Sequence, residues 1–148
     1  MGGFGPSLTM SSVERFASGL EEWWEIMPHM RSDRAFFGST VMNEKIYVCG
    51  GMSRIGELNS VECFDPETMQ WLPVTPMPAA VSCATVVSHA NEIYVIGGTC
   101  RGQDSSFVQI YHADTGTWDF GASLSATRRD AAAVVVSFSS AEHSFIGK

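Results

Sequence analysis

Short runs of β-branched and aromatic residues recur along the chain, with polar breaks between them. Phe36–Met42, Lys45–Cys49, Val61–Phe64 and Gln70–Val74 form one set of four. Cys83–Ser88, Glu92–Ile96, Phe107–His112 and Thr117–Phe120 form a second. Their lengths and their Val, Ile, Tyr and Phe content predict strands. The breaks carry turn chemistry: Asn43-Glu44 and Asn91-Glu92 between the first two strands of each set, Asp65-Pro66 and Asp114-Thr115-Gly116 between the last two. Such residues favour turns through local hydrogen bonds or unusual backbone angles. No window reads as an amphipathic helix; the stretch from Gly19 to Met27 is short and aromatic, and it aligns with the segment around Trp71.

The two sets keep step. Trp24, Trp71 and Trp118 stand 47 residues apart, twice over, and Gly50 and Gly51 become Gly97 and Gly98 one period later. Val61, Phe64 and Trp71 become Val108, Tyr111 and Trp118. An earlier copy offers Gly2, Gly3, Val13, Phe16 and Trp24 with one residue of slippage. Self-similarity at this period signals a propeller or repeat array, and four antiparallel strands per period make a propeller blade. Paired glycines at a strand end allow a neighbouring backbone to approach closely. Each tryptophan is large enough to fill the wedge between blades, at about 2–3 kcal/mol per buried ring. Trp24, Trp71, Trp118 and the glycine pairs are therefore architecture.

These residues resemble the kelch-repeat family. The pattern is a hydrophobic stretch ending in Gly-Gly, a strand with Tyr or Phe, and a Trp six or seven residues on; it is met at Lys45–Gly51 followed by Val61–Trp71, and at Glu92–Gly98 followed by Val108–Trp118. The likeness spans roughly residues 2 to 136 and is especially near to kelch-like proteins over Arg34–Gly51. It implies an all-β, kelch-type propeller whose loops bind other proteins. The chain is expected to form one partial propeller, with blade parts at about 2–31, 34–78, 81–124 and 128–148. The last begins with Arg128-Arg129-Asp130 and an aliphatic run, then loses register after Val136, where a glycine pair is due near Ser144. Three accounts fit an interrupted repeat: a fragment or splice product of a larger kelch protein, an arc that closes its ring with copies of itself or another kelch chain, or an artefact of gene prediction that does not fold.

The charge of −7 over 148 residues argues against general nucleic-acid affinity. The longest aliphatic run, Ala131–Val136, is too short to span a bilayer, and no targeting segment is visible, so no membrane contact is expected; the reading of the cysteines as reduced makes a cytoplasmic setting the expectation. Cys49, Cys63 and Cys83 lie in apolar runs and read as small buried hydrophobes; no spacing fits a metal template. Cys100 lies beside Arg101, a cation that favours its thiolate, and this is the one signal for a redox sensor.

In a meander of strands a to d, the b–c and d–a loops share one face. That face receives Arg34, Arg54, Arg101, Arg128 and Arg129, with Arg31 beside them, while the opposite face collects acidic residues and Lys45. Arginine binds carboxylates and phosphates through a planar fork, and loops on rigid scaffolds commonly carry function. The expectation is that Arg34, Arg54, Arg101, Arg128 and Arg129 receive an acidic or phosphorylated peptide of a partner protein; the competing reading is that they are solvated or bond to neighbouring loops. The resemblance implies a substrate adaptor of a ubiquitin ligase, with an actin-binding cytoskeletal scaffold as the alternative and a propeller enzyme as a third. His29, His89, His112 and His143 show no paired spacing, and no nucleophile or phosphate motif is present, so no catalytic residue, metal or cofactor is expected.

Overall fold

A computed structural model describes residues 1–5, 8–19 and 22–137. The strands are β1 (Val13–Ala17), β2 (Trp23–Met27), β3 (Gly38–Met42), β4 (Lys45–Cys49), β5 (Met52–Ser53), β6 (Gly56–Glu57), β7 (Val61–Asp65), β8 (Gln70–Val74), β9 (Thr85–His89), β10 (Glu92–Ile96), β11 (Thr99–Cys100), β12 (Gln103–Asp104), β13 (Val108–His112) and β14 (Thr117–Phe120). Two four-stranded antiparallel meanders, β3-β4-β7-β8 and β9-β10-β13-β14, form complete blades, and β1-β2 forms the outer half of a third. The fold is an all-β, unclosed partial propeller. Among the described residues, no helix is long and apolar enough to cross a membrane.

Local chemistry sets the turns. Asn43 and Glu44 both adopt positive φ, 50° and 61°, the backbone of a two-residue hairpin whose twist matches its strands. Between β7 and β8 the Asp65 carboxylate accepts from Glu67 N at 2.9 Å and from Lys45 Nζ at 2.8 Å. The Lys45 contact and these turn bonds hold the Asp65 carboxyl below its usual range. The glycine pairs join the blades. Gly51 has φ of 96° and donates its N–H to Val81 O at 2.8 Å; a Cβ there would lie 2.7 Å from Ala35 O. Gly98 N donates in the same way to Arg128 O, and Gly3 N to Arg34 O.

The core lies between sheets. Val13, Met27, Met30, Val48, Phe64 and Trp71 pack between the half-blade and its neighbour. Cys49, Val61, Met77, Val81, Ile93, Val95 and Tyr111 pack between the two complete blades. Each tryptophan of the 47-residue series packs on the aromatic across its strand pair: Phe16–Trp24, Phe64–Trp71 and Tyr111–Trp118, with ring centroids 5.4, 5.2 and 5.2 Å apart. Trp71 Nε1 donates to Pro28 O at 2.9 Å and Trp118 Nε1 to Thr75 O at 2.8 Å, each in the preceding blade's trailing loop.

Three expectations need correction. Trp24 does not fill a wedge: it is 66% exposed, because among the described residues no sheet lies on its side of the half-blade. Cys83 lies outside β9, at a left-handed φ of 55°. The b–c loops, read from sequence as plain loops, contain the hairpins β5-β6 and β11-β12. The irregular end of the last repeat, including His143 and Ser144, falls outside the described residues.

Burial separates the cysteines. Cys49 and Cys63 are buried, while Cys83 and Cys100 are half-buried. Burial pushes the Cys49 thiol up to about 12, so it stays protonated near neutrality. Iodoacetamide at mildly alkaline pH should label Cys83 and Cys100 in the native protein and spare Cys49 and Cys63 until denaturant is added. Peptide mass mapping reads this out; native labelling of Cys49 at the rate of Cys100 would contradict the packing.

Candidate functional site

The loop face is built by one device used twice. Ala35 and Met52 exchange backbone hydrogen bonds at 2.9 and 2.7 Å, and Ser82 and Thr99 do so at 3.0 and 2.7 Å. Each pair pins a b–c hairpin to the loop entering its own blade. Adjacent hairpins are then linked: Glu57, on β6, accepts from Arg101 N at 2.6 Å. Hairpin tips stand on a fixed base, which suits recognition.

The five predicted arginines do not form one set. Arg34 is corrected: it is 0% exposed and cannot touch a partner. Its guanidinium donates to Gly50 O at 2.8 Å, Ser60 O at 3.2 Å, Ser60 Oγ at 3.2 Å and Glu62 Oε1 at 2.6 Å. Glu62, 3% exposed, also accepts from Arg31 N at 2.6 Å and Ser32 N at 3.0 Å. Burying one carboxylate and one guanidinium is tolerable because each answers the other and backbone groups fill most remaining valences. One period on, the same two places hold Val81 and Gln109. Gln109, 1% exposed, accepts from Ala79 N at 2.8 Å and donates to Ala79 O at 3.2 Å. A neutral amide does for one loop what a charged pair does for the other.

The remaining four are exposed. Arg54 Nε lies 3.9 Å from Asp33 Oδ2, and Arg129 Nε lies 3.5 Å from Asp104 Oδ1. Arg101 and Arg128 make no ion pair among the described residues. Arg101 lines a cleft of about 550 Å³ with Cys100, Asp104, Ser105, Phe107 and Thr127. Arg54 and Arg31 line a smaller one of about 250 Å³. Two apolar residues that the sequence reading passed over stand here. Ile55 is 93% exposed beside Arg54 at the tip of β5-β6, and Phe107 is exposed at the larger cleft. An isoleucine set between Arg54 and Gly56 in the b–c loop was the legible signal for the first; Phe107 was absorbed into a strand that begins one residue later.

On the opposite face His112 lies between Glu92 and Asp119, at 2.8 and 3.3 Å. The Tyr94 hydroxyl, and then His112, hold the Glu92 carboxyl below its usual range. Among the described residues no group of three or more His, Cys, Asp or Glu could hold a metal ion.

The model of the Kelch motif matches residues 33–78 and 80–125. The chain is similar to Kelch-like protein 40 of Xenopus tropicalis, 35% identical over 59% of this chain and 14% of that protein. It is similar to Kelch-like protein 26 of Danio rerio, 31% identical over 80% of this chain and 20% of that protein. The chain thus spans a fifth or less of the length of these relatives. Among solved structures, that of YjhT superimposes with a TM-score of 0.70 at 13% identity, over 84% of this chain and 51% of that one, a likeness of fold alone.

Proposed function

Because this chain belongs to the kelch-repeat family, we propose that it is a protein-interaction module whose b–c and d–a loop face receives an acidic or phosphorylated peptide from a partner protein. The observation that carries the reading is Arg101: an exposed guanidinium with no ion-pair partner among the described residues, on a cleft of about 550 Å³ that also offers Phe107. An unpaired guanidinium beside an apolar ring suits a peptide that presents a carboxylate or phosphate next to an apolar residue. Arg54 and Arg129 add positive charge, partly offset by Asp33 and Asp104. The surface is read as the substrate-recognition part of a ubiquitin-ligase adaptor in the cytoplasm, without cofactor or catalysis.

Fluorescence anisotropy with a labelled Glu-rich peptide and its phosphoserine counterpart tests this. Arg101→Ala should weaken binding about tenfold or more, as loss of a charge-assisted hydrogen bond does. Arg54→Ala should cost less, since Asp33 already draws on that charge. Binding should also weaken with added salt. Equal affinity in wild type and the Arg54→Ala, Arg101→Ala double variant would sink the reading; selective binding of filamentous actin by the same face would favour a cytoskeletal scaffold.

A further inference from the structure

The two b–c hairpins carry an arginine at the same place in the repeat, Arg54 and Arg101, yet their turns are built differently. Before Arg54-Ile55 stands Ser53, whose hydroxyl accepts from Ile55 N and donates to Gly56 O, both at 3.3 Å. That hairpin closes on its own side chain. In the other, Arg101-Gly102 joins the paired residues Cys100 and Gln103, and both central residues have positive φ, 52° and 73°. This is the two-residue turn whose twist matches its strands. Its central residues lie outside the ladder, so their N–H groups need another acceptor.

Glu57 supplies one from the neighbouring blade. Its Oε2 accepts from Arg101 N at 2.6 Å, and its Oε1 lies 3.5 Å from Gly102 N and 3.5 Å from Ser82 Oγ. An arginine in a left-handed backbone is sterically disfavoured, and a carboxylate that accepts at the turn's N–H groups offsets this. All of these residues lie between β3 and β14. The guanidinium is treated differently at the two tips. At Arg54 the nearby carboxylate is Asp33, and it faces the guanidinium itself, 3.9 Å from Nε. At Arg101 the nearby carboxylate is committed to backbone, and the guanidinium makes no ion pair among the described residues. Asp104, one period after Glu57, also turns to a side chain, 3.5 Å from Arg129 Nε.

We propose that Glu57 is a positioning residue for acidic-peptide binding at Arg101. By accepting the Arg101 N–H across the blade junction, it holds the β11-β12 tip so that the guanidinium stands free at the cleft beside Phe107. This role rests on the cleft being a peptide site. It makes affinity for an acidic peptide depend on an acidic residue of the protein. Removing that acid should therefore weaken binding, the opposite of what charge repulsion alone requires.

Fluorescence anisotropy with the labelled Glu-rich peptide compares the variants. Glu57→Ala should weaken binding about fivefold, since a freed tip must then be ordered as the peptide binds. Glu57→Gln should stay within about twofold of wild type, because its amide oxygen still accepts from Arg101 N. In an Arg101→Ala background, Glu57→Ala should have no further effect. Amide exchange read by NMR should show the Arg101 N–H protected in wild type and in Glu57→Gln, and about tenfold faster in Glu57→Ala. Glu57 is half-buried and outside both core clusters, so strand circular dichroism should not change. Equal or tighter binding by Glu57→Ala, a Glu57→Gln variant as weak as Glu57→Ala, or unchanged exchange at Arg101 would each overturn the proposal. Binding that Arg101→Ala weakens and Glu57→Ala does not would leave the peptide site standing without this role. A wild type that binds neither the Glu-rich nor the phosphoserine peptide would overturn both.

Discussion

Arg34→Val should lower stability by about 3–5 kcal/mol, the cost of leaving a buried carboxylate without its counter-charge. Glu62 would keep its bonds from Arg31 N and Ser32 N, which are too few to hold a charge screened from water. Adding Glu62→Gln should recover most of the loss, to within about 1.5 kcal/mol of wild type, because replacing both members of a buried pair with neutral groups is often close to neutral. The protein already contains the product of this double change: Val81 with Gln109, packed in the same place one blade later. Glu62→Gln alone should be the poorer variant of the pair, since it leaves the guanidinium with neutral acceptors only. Urea unfolding followed by tryptophan fluorescence measures all three. Losses that simply add in the double variant would show that the two side chains act independently.

Trp71→Ala should cost about 3–5 kcal/mol, the range for removing a large buried aromatic. The ring is 6% exposed, stacks on Phe64 and donates to Pro28 O across the blade junction. Its removal opens a cavity between sheets that share no backbone ladder, so the half-blade β1-β2 should loosen first. Trp118→Ala should cost less, about 2 kcal/mol, because part of that ring already meets water. Against a total of about 5–15 kcal/mol for a typical domain, the first change alone brings the chain near its limit. Thermal unfolding of the two variants checks the order; equal losses would mean that ring burial does not set them.

Much of this architecture was legible because its causes are local or periodic. The 47-residue tryptophan spacing placed all eight strands of the complete blades within a residue or two, since strand content and turn residues act over a few positions. The glycine pairs were legible because only glycine tolerates a carbonyl so near its Cα. The fate of the arginines was not legible from their own positions. Arg34 and Arg128 each follow a tryptophan by ten residues, and one is buried while the other is exposed. What separates them lies 28 residues downstream of Arg34, in Glu62, and the exchange of Arg34 and Glu62 for Val81 and Gln109 at the same offset was the signal available. Reading it required knowing that strand c reaches back to the loop before strand a.

The amino-acid order alone determined the all-β class, the blade register, the kelch likeness and the side of the sheets on which each loop emerges, because alternation, turn chemistry and period follow from residues near one another in the chain. Only the tertiary structure decided which repeated residues are structural and which face water. Trp24 and Trp71 are the same residue in the repeat, as are Arg34 and Arg128, and among the described residues they differ in what packs against them. Burial belongs to the neighbour as much as to the residue, and blades meet across distances that sequence spacing does not measure.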